Sequence, residues 1–185
     1  MIILAIVVVL VAGIVVGLLI GRSGNAANKQ TGAPAGQSDK TSTTDVKSLV
    51  SYTLPDGWNQ GTCSGTPDTV YITPSGTSLS CDSDPSAPIK MYVDAGNTTD
   101  CAQLKPASNQ DIKKHTCISL YINGHKSLKA LTEYAAGSTY KTDTTIAEYY
   151  IDTGKGVVAL KYTYTSSNDF QAGFDELAKS VRVKS

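Results

Sequence analysis

The chain opens on an unbroken apolar run, Ile2 to Ile20, nineteen residues without a charged side chain. Wound as a helix it spans ~28 Å, close to the ~30 Å hydrocarbon core of a bilayer. Fifteen of these residues are Ile, Leu or Val, which makes insertion favourable by ~5–9 kcal/mol as an upper bound. β-Branched residues lower helix propensity in water, but in lipid the backbone has no other way to satisfy its polar groups. The pattern predicts a transmembrane anchor over residues 1–21, with the lipid bilayer as the partner of residues 2–20. A cleaved signal peptide is the competing reading, and Gly24-Asn25-Ala26 offers small residues before a cut at Ala27. The run exceeds the usual core of about 7–15 residues and no basic segment precedes it, so the uncleaved anchor is preferred.

The pattern then disappears. Residues 22–45 belong to the stretch GRSGNAANKQTGAPAGQSDKTSTTD, which has no apolar periodicity. This composition predicts a flexible linker with an r.m.s. reach of roughly 25–30 Å. Alternation returns at about Val46 and marks a domain over 46–185. Val50, Tyr52 and Leu54 alternate before Pro55-Asp56-Gly57 and Trp58. Val70 and Ile72 alternate in one segment, and Ile89, Met91 and Val93 in the next. Ile118, Leu120 and Ile122 alternate just before Asn123-Gly124, the strongest short-range hairpin signal, with the return strand starting near His125. TTIAEYYIDTGKGVVALKYTYT reads as two strands about a turn, Val158, Leu160, Tyr162 and Tyr164 sharing a face.

The period changes in NDFQAGFDELAKSV, where Phe170, Phe174, Leu177 and Val181 fall at helical spacing. Asn168 is the expected cap, with Gln171 reaching back to it. Asp169 at the start and Lys179 and Arg182 near the end suit the helix dipole. A shorter helix is expected around Thr99 to Leu104. The predicted fold class is therefore α+β: an antiparallel β-sheet with a C-terminal amphipathic helix packed on it, preceded by a single N-terminal transmembrane helix.

Charge narrows the partners. Lys and Arg together number sixteen, as do Asp and Glu, so no basic excess points to nucleic acid or to anionic lipid. The layout resembles the PsbP-like family of α/β/α domains. SYTLPDGW, TVYITPSG, the central hairpins and the closing FDELAKSVRV carry the likeness, over most of residues 50–183. It implies that fold and a non-catalytic accessory role, and it carries no site residue.

Cys63, Cys81, Cys101 and Cys117 are the four cysteines, all within the domain. There is no CxxC, and His115 and His125 lack zinc-finger spacing. Two disulfides are expected, which places the domain in an oxidising compartment. Three connectivities are open. Cys63–Cys81 with Cys101–Cys117 is favoured, because the first closes the TVYITPSG excursion and the second pins the short helix to a strand. Arg22, Lys29 and Lys40 all follow the apolar run, and the positive-inside rule alone would keep them cytoplasmic. The cysteines therefore decide the orientation: a single-pass protein of the cell membrane with its C-terminal domain extracytoplasmic.

No GxSxG, P-loop or HExxH occurs, and no cofactor, metal site or catalytic residue is assigned. Asp82-Ser83-Asp84 begins like a calcium loop but lacks the later Gly and Glu. His115 reads as a surface-loop residue and His125 as a strand end. Tyrosine is abundant, with ten. Tyr121 lies opposite the Ile118 face, and Tyr149 and Tyr150 point to opposite faces, so one of that pair is expected outward. Trp58, Tyr121 and Tyr149 form the candidate ligand surface, for a cell-envelope protein or glycan; Trp58 also suits a core plug. Asn97-Thr98-Thr99 is a glycosylation sequon. The leading function is a membrane-anchored accessory or binding domain without catalysis. The alternatives are an anchored envelope hydrolase, with Glu133, Glu148 and Asp152 as candidate acids, and a pilin-like filament subunit.

Overall fold

A computed structural model describes residues 45–82, 87–106, 111–137, 139–167 and 169–185. The expected anchor, most of the linker, Ser83, Asp84 and Asn168 lie outside these residues. Among the described residues no helix is long and apolar enough to cross a membrane.

The chain enters through a single helical turn, α1 (Val46–Leu49), capped by the Asp45 carboxylate on the Lys47 amide. It continues into β1 (Val50–Ser51), β2 (Asn59–Cys63), β3 (Thr66–Thr73) and β4 (Ile89–Asp94). A 3-10 turn follows at Cys101–Leu104, closed by a reciprocal capping box between Asp100 and Gln103. Then come β5 (Ile112–Ile122), β6 (His125–Tyr134), β7 (Thr144–Asp152) and β8 (Val157–Tyr164), a helix α2 (Gln171–Ser180), and β9 (Arg182–Val183). Seven strands form one sheet in the order β2-β3-β4-β8-β7-β6-β5, every neighbour antiparallel. β1 and β9 pair separately, Val50 opposite Val183, bringing the start and end of the domain together. Asn123 and Gly124 both have positive φ, 50° and 85°. Such angles make the two-residue turn that matches strand twist, so Ile122 meets His125 across a tight hairpin.

This architecture corrects the α+β expectation. Strand residues far outnumber helical ones, and the domain is mainly β. Seven strands make a sheet about 30 Å across, whereas ten helical residues extend only about 15 Å, too short to form a covering layer. The expected cap also fails: Phe170 occupies that position without a side-chain cap, and Gln171 turns its amide to Asp175.

One cross-strand row shows where the core lies. Val70, Met91, Leu160, Tyr149, Lys129 and Ile118 stand side by side from β3 to β5. The first four are buried. Phe174 of α2 packs its ring on Tyr149 and Tyr162 above the middle of this face, with centroids 5.6 and 5.4 Å apart. A fully buried Phe of this kind contributes roughly 1.5–3 kcal/mol. On β5 the cover reaches Ile122, which is buried in this core, but not Ile118, which ends the row 57% exposed. On the opposite face Leu128, Tyr150 and Ala159 form a second cluster under Tyr92, Cys101 and Leu104.

Candidate functional site

The two disulfides position the loops around the sheet. Cys63 on β2 joins Cys81 beyond β3, and Cys101 on the 3-10 turn joins Cys117 on β5, with Cα separations of 5.4 and 5.7 Å. This is the connectivity favoured from the sequence. Each closes a loop of a size worth about 3 kcal/mol in the chain-entropy model. The second also holds the 3-10 turn over the Leu128–Tyr150 cluster.

The three aromatic candidates part company. Trp58 is half-buried, edge-on to Phe170 at 6.2 Å, and plugs the core. Tyr149 is buried and cannot belong to an exposed ligand surface. Its strand partner Tyr150 is buried too, so neither ring points outward. The expectation fails because both faces of β7 are covered, one by α2 and the other by the turn carrying Cys101. Tyr121 alone stands out, 75% exposed.

Sequence reasoning missed Ile118, assigned to the inner face. Alternation shows which side of the sheet a residue takes, and not whether anything reaches far enough to cover it. Among the described residues, Ile118 and Tyr121 are the large apolar side chains left exposed, and both sit on β5. β5 is the outermost strand and, at eleven residues, the longest. Lys113 and Lys114 occupy its first half, and from Thr116 to Ile122 it carries no charge. The other edge, β2, is five residues long, interrupted by a bulge between Gly61 and Cys63 and tied down by its disulfide. Short, bulged edges resist adding another strand; long, uncharged, apolar ones invite it.

Two polar networks lie inward of this edge. Asp175 on α2 accepts hydrogen bonds from Lys129 Nζ at 2.9 and 3.0 Å, the Tyr149 hydroxyl at 2.9 Å and Gln171 Nε2 at 2.8 Å. Burial pushes the Tyr149 phenol up to about 12 against the opposing influence of Lys129. Burial also pulls the Lys129 ammonium down, but hydrogen bonding to Asp175 and Tyr149 leaves it raised overall. This arrangement satisfies groups that the core has partly dehydrated. On the opposite face, Glu148 accepts from the Tyr150 hydroxyl at 3.3 Å and pairs with Lys161 at 3.5 Å. Burial foremost, then Glu148, raises the phenols of Tyr92 and Tyr150, Tyr92 to about 12.

The candidate hydrolase acids do not converge. Register puts Glu133 on the same face as Tyr149, and Glu148 and Asp152 on the other. Asp152 lies four positions along the strand from Glu148, about 13 Å of backbone, beyond the roughly 5–9.5 Å of glycosidase carboxyl pairs. Asp152 accepts from the Gly154 amide within its turn. His115, expected on a loop, is a half-buried residue of β5 whose Nδ1 meets Thr132 Oγ1 at 2.9 Å. His125 starts β6. Asp82 accepts from the Ser80 hydroxyl. Among the described residues no three His, Cys, Asp or Glu side chains gather as a metal would need. An open groove of about 580 Å³ runs beside Tyr52, Leu54, Gln60, Lys47 and Lys184, without a convergent acid or histidine. No protein-family model and no curated protein matches the chain.

Proposed function

We propose that the protein is a single-pass, membrane-anchored accessory or binding domain held on the extracytoplasmic side, with the exposed edge of β5 as its contact surface. One observation carries the binding role: the exposed large apolar side chains of the described residues are concentrated on one uncapped strand. Edge strands recognise extended partners through main-chain hydrogen bonds, with side chains supplying selectivity. The two cystines support the compartment, because such bridges persist outside the reducing cytosol. The apolar run at 2–20 supplies the anchor. A non-catalytic accessory role is also what the resemblance to PsbP-like domains implies.

The test compares affinity-tagged full-length protein with the I118S/Y121S variant, both cross-linked in intact cells and read by quantitative mass spectrometry. The expected result is an adduct formed by the parent and lost from the variant, with expression, disulfides and membrane fractionation unchanged. Identical adducts in both proteins would rule out β5 as the contact surface, and recovery from the soluble fraction would remove the anchor.

A further inference from the structure

We infer that the occupant of the β5 edge is β5 of a second copy of this chain, paired antiparallel about a two-fold axis near Cys117, so that two seven-stranded sheets become one continuous sheet. The inference rests on the reading of β5 as the contact surface and names its partner.

The distribution of charge along the strand is the first argument. The basic residues Lys113 and Lys114 lie in the first half, and the second half is apolar or neutral. Reversing one copy against the other lays the basic half of each beside the uncharged half of its mate. No lysine then faces a lysine, which would be destabilising directly across a sheet. With Cys117 at the centre, Lys114 falls opposite Leu120 of the second copy, where its alkyl stem lies along an apolar side chain. Thr116 falls opposite Ile118, a β-branched pair suited to adjacent strands. The sequence of β5 thus complements its own reverse.

The second argument concerns the open edge itself. Among the described residues β5 pairs with β6 alone, leaving the backbone groups of alternate residues along its eleven-residue length facing outward. Its stretch Thr116–Ile122 combines high β-propensity with no charge, proline or glycine, the features of segments that pair with their own kind. The Lys113–Asp143 ion pair secures the first half of the strand to the adjoining loop and leaves the second half clear of ion pairs. A seven-residue seam is modest, and anchoring every copy in one membrane raises their effective concentration without any new contact.

Two differently tagged full-length chains are co-produced in membranes, one carrying a photo-cross-linking phenylalanine analogue in place of Tyr121. Illumination is expected to yield an adduct of twice the chain mass bearing both tags, with the link mapped to the Lys113 end of the second copy's β5. Ile118→Lys in the tagged partner puts a cation into the seam and should abolish the adduct; the same analogue at exposed Lys155 should give none. An adduct with a different protein overturns self-pairing while leaving β5 a binding edge, and no adduct at all overturns both. A dimer linked outside β5 also overturns the inference.

Discussion

Gly173 stands inside α2 because the indole of Trp58 lies where a side chain would project. A Cβ there would meet Trp58 Cζ2 at 2.5 Å and Cη2 at 3.0 Å. Trp58 cannot simply retreat, since its ring is already set edge-on to Phe170. Alanine in a helix interior normally gains about 1 kcal/mol over glycine. Overpacking a filled site costs about 1–3 kcal/mol. Gly173→Ala is therefore expected to lower stability by about 1 kcal/mol net, measured by urea unfolding. A gain of that size would show that the indole is loosely held. Tyr149 illustrates why such detail is hard to read from sequence. Its neighbours Ala147 and Ile151 announce a strand face, but the Asp175 carboxylate that accepts from its hydroxyl and the Lys129 ammonium over its ring come from two other elements.

Between elements, the β5–β6 turn ties the sheet to the end of α2. Asn123 Nδ2 donates to the carbonyls of Lys179 and Val181 at 2.9 and 2.6 Å, sharing with Arg182 Nη1 the acceptors that the end of α2 leaves. Asn123→Gly preserves the positive φ and removes only these donors. It should cost about 1–2 kcal/mol, with a matching loss of amide-exchange protection in the last turn of α2. Unchanged protection there would separate the hairpin from the helix. The strands from β3 to β8 lie close to the alternating segments, and the hairpin at Asn123-Gly124 sits where its dipeptide placed it. β2 escaped notice because Asn-Gln-Gly-Thr-Cys has no apolar alternation and owes its state to pairing with β3. The α+β class was misjudged for a related reason. A helical period at 170–181 reports a local conformation, but layer architecture depends on the ratio of helix length to sheet width, which follows only from strand number. Ile118 was misplaced too: the core reaches β5 at Ile122 and Leu120 and stops short of Ile118 along the strand.

For the whole molecule, the buried and half-buried tyrosines make alkaline stability informative. Burial is the foremost reason that Tyr92, Tyr149 and Tyr162 are pushed up to about 12. In the unfolded chain these phenols ionise near 10. Between the two values the unfolded state has released protons that the folded state retains. Stability therefore holds below pH ~10 and falls as pH rises toward 12. Lys129 acts in the same sense, its raised ammonium keeping the Asp175 contact until the pH passes the ordinary lysine range. Denaturation midpoints should fall from pH 9 to 11, while tyrosinate absorbance in the folded protein lags that in denaturant. Coincident absorbance curves would contradict the burial of these rings.

The proposed extracytoplasmic placement rests on the state of four sulfur atoms. The most direct measurement is to alkylate thiols in intact, unreduced cells with a permeant reagent and map the peptides of the full chain by mass spectrometry. The account predicts no alkylated cysteine and two linked peptide pairs, Cys63 with Cys81 and Cys101 with Cys117. Four alkylated cysteines would place the domain in a reducing environment and contradict it.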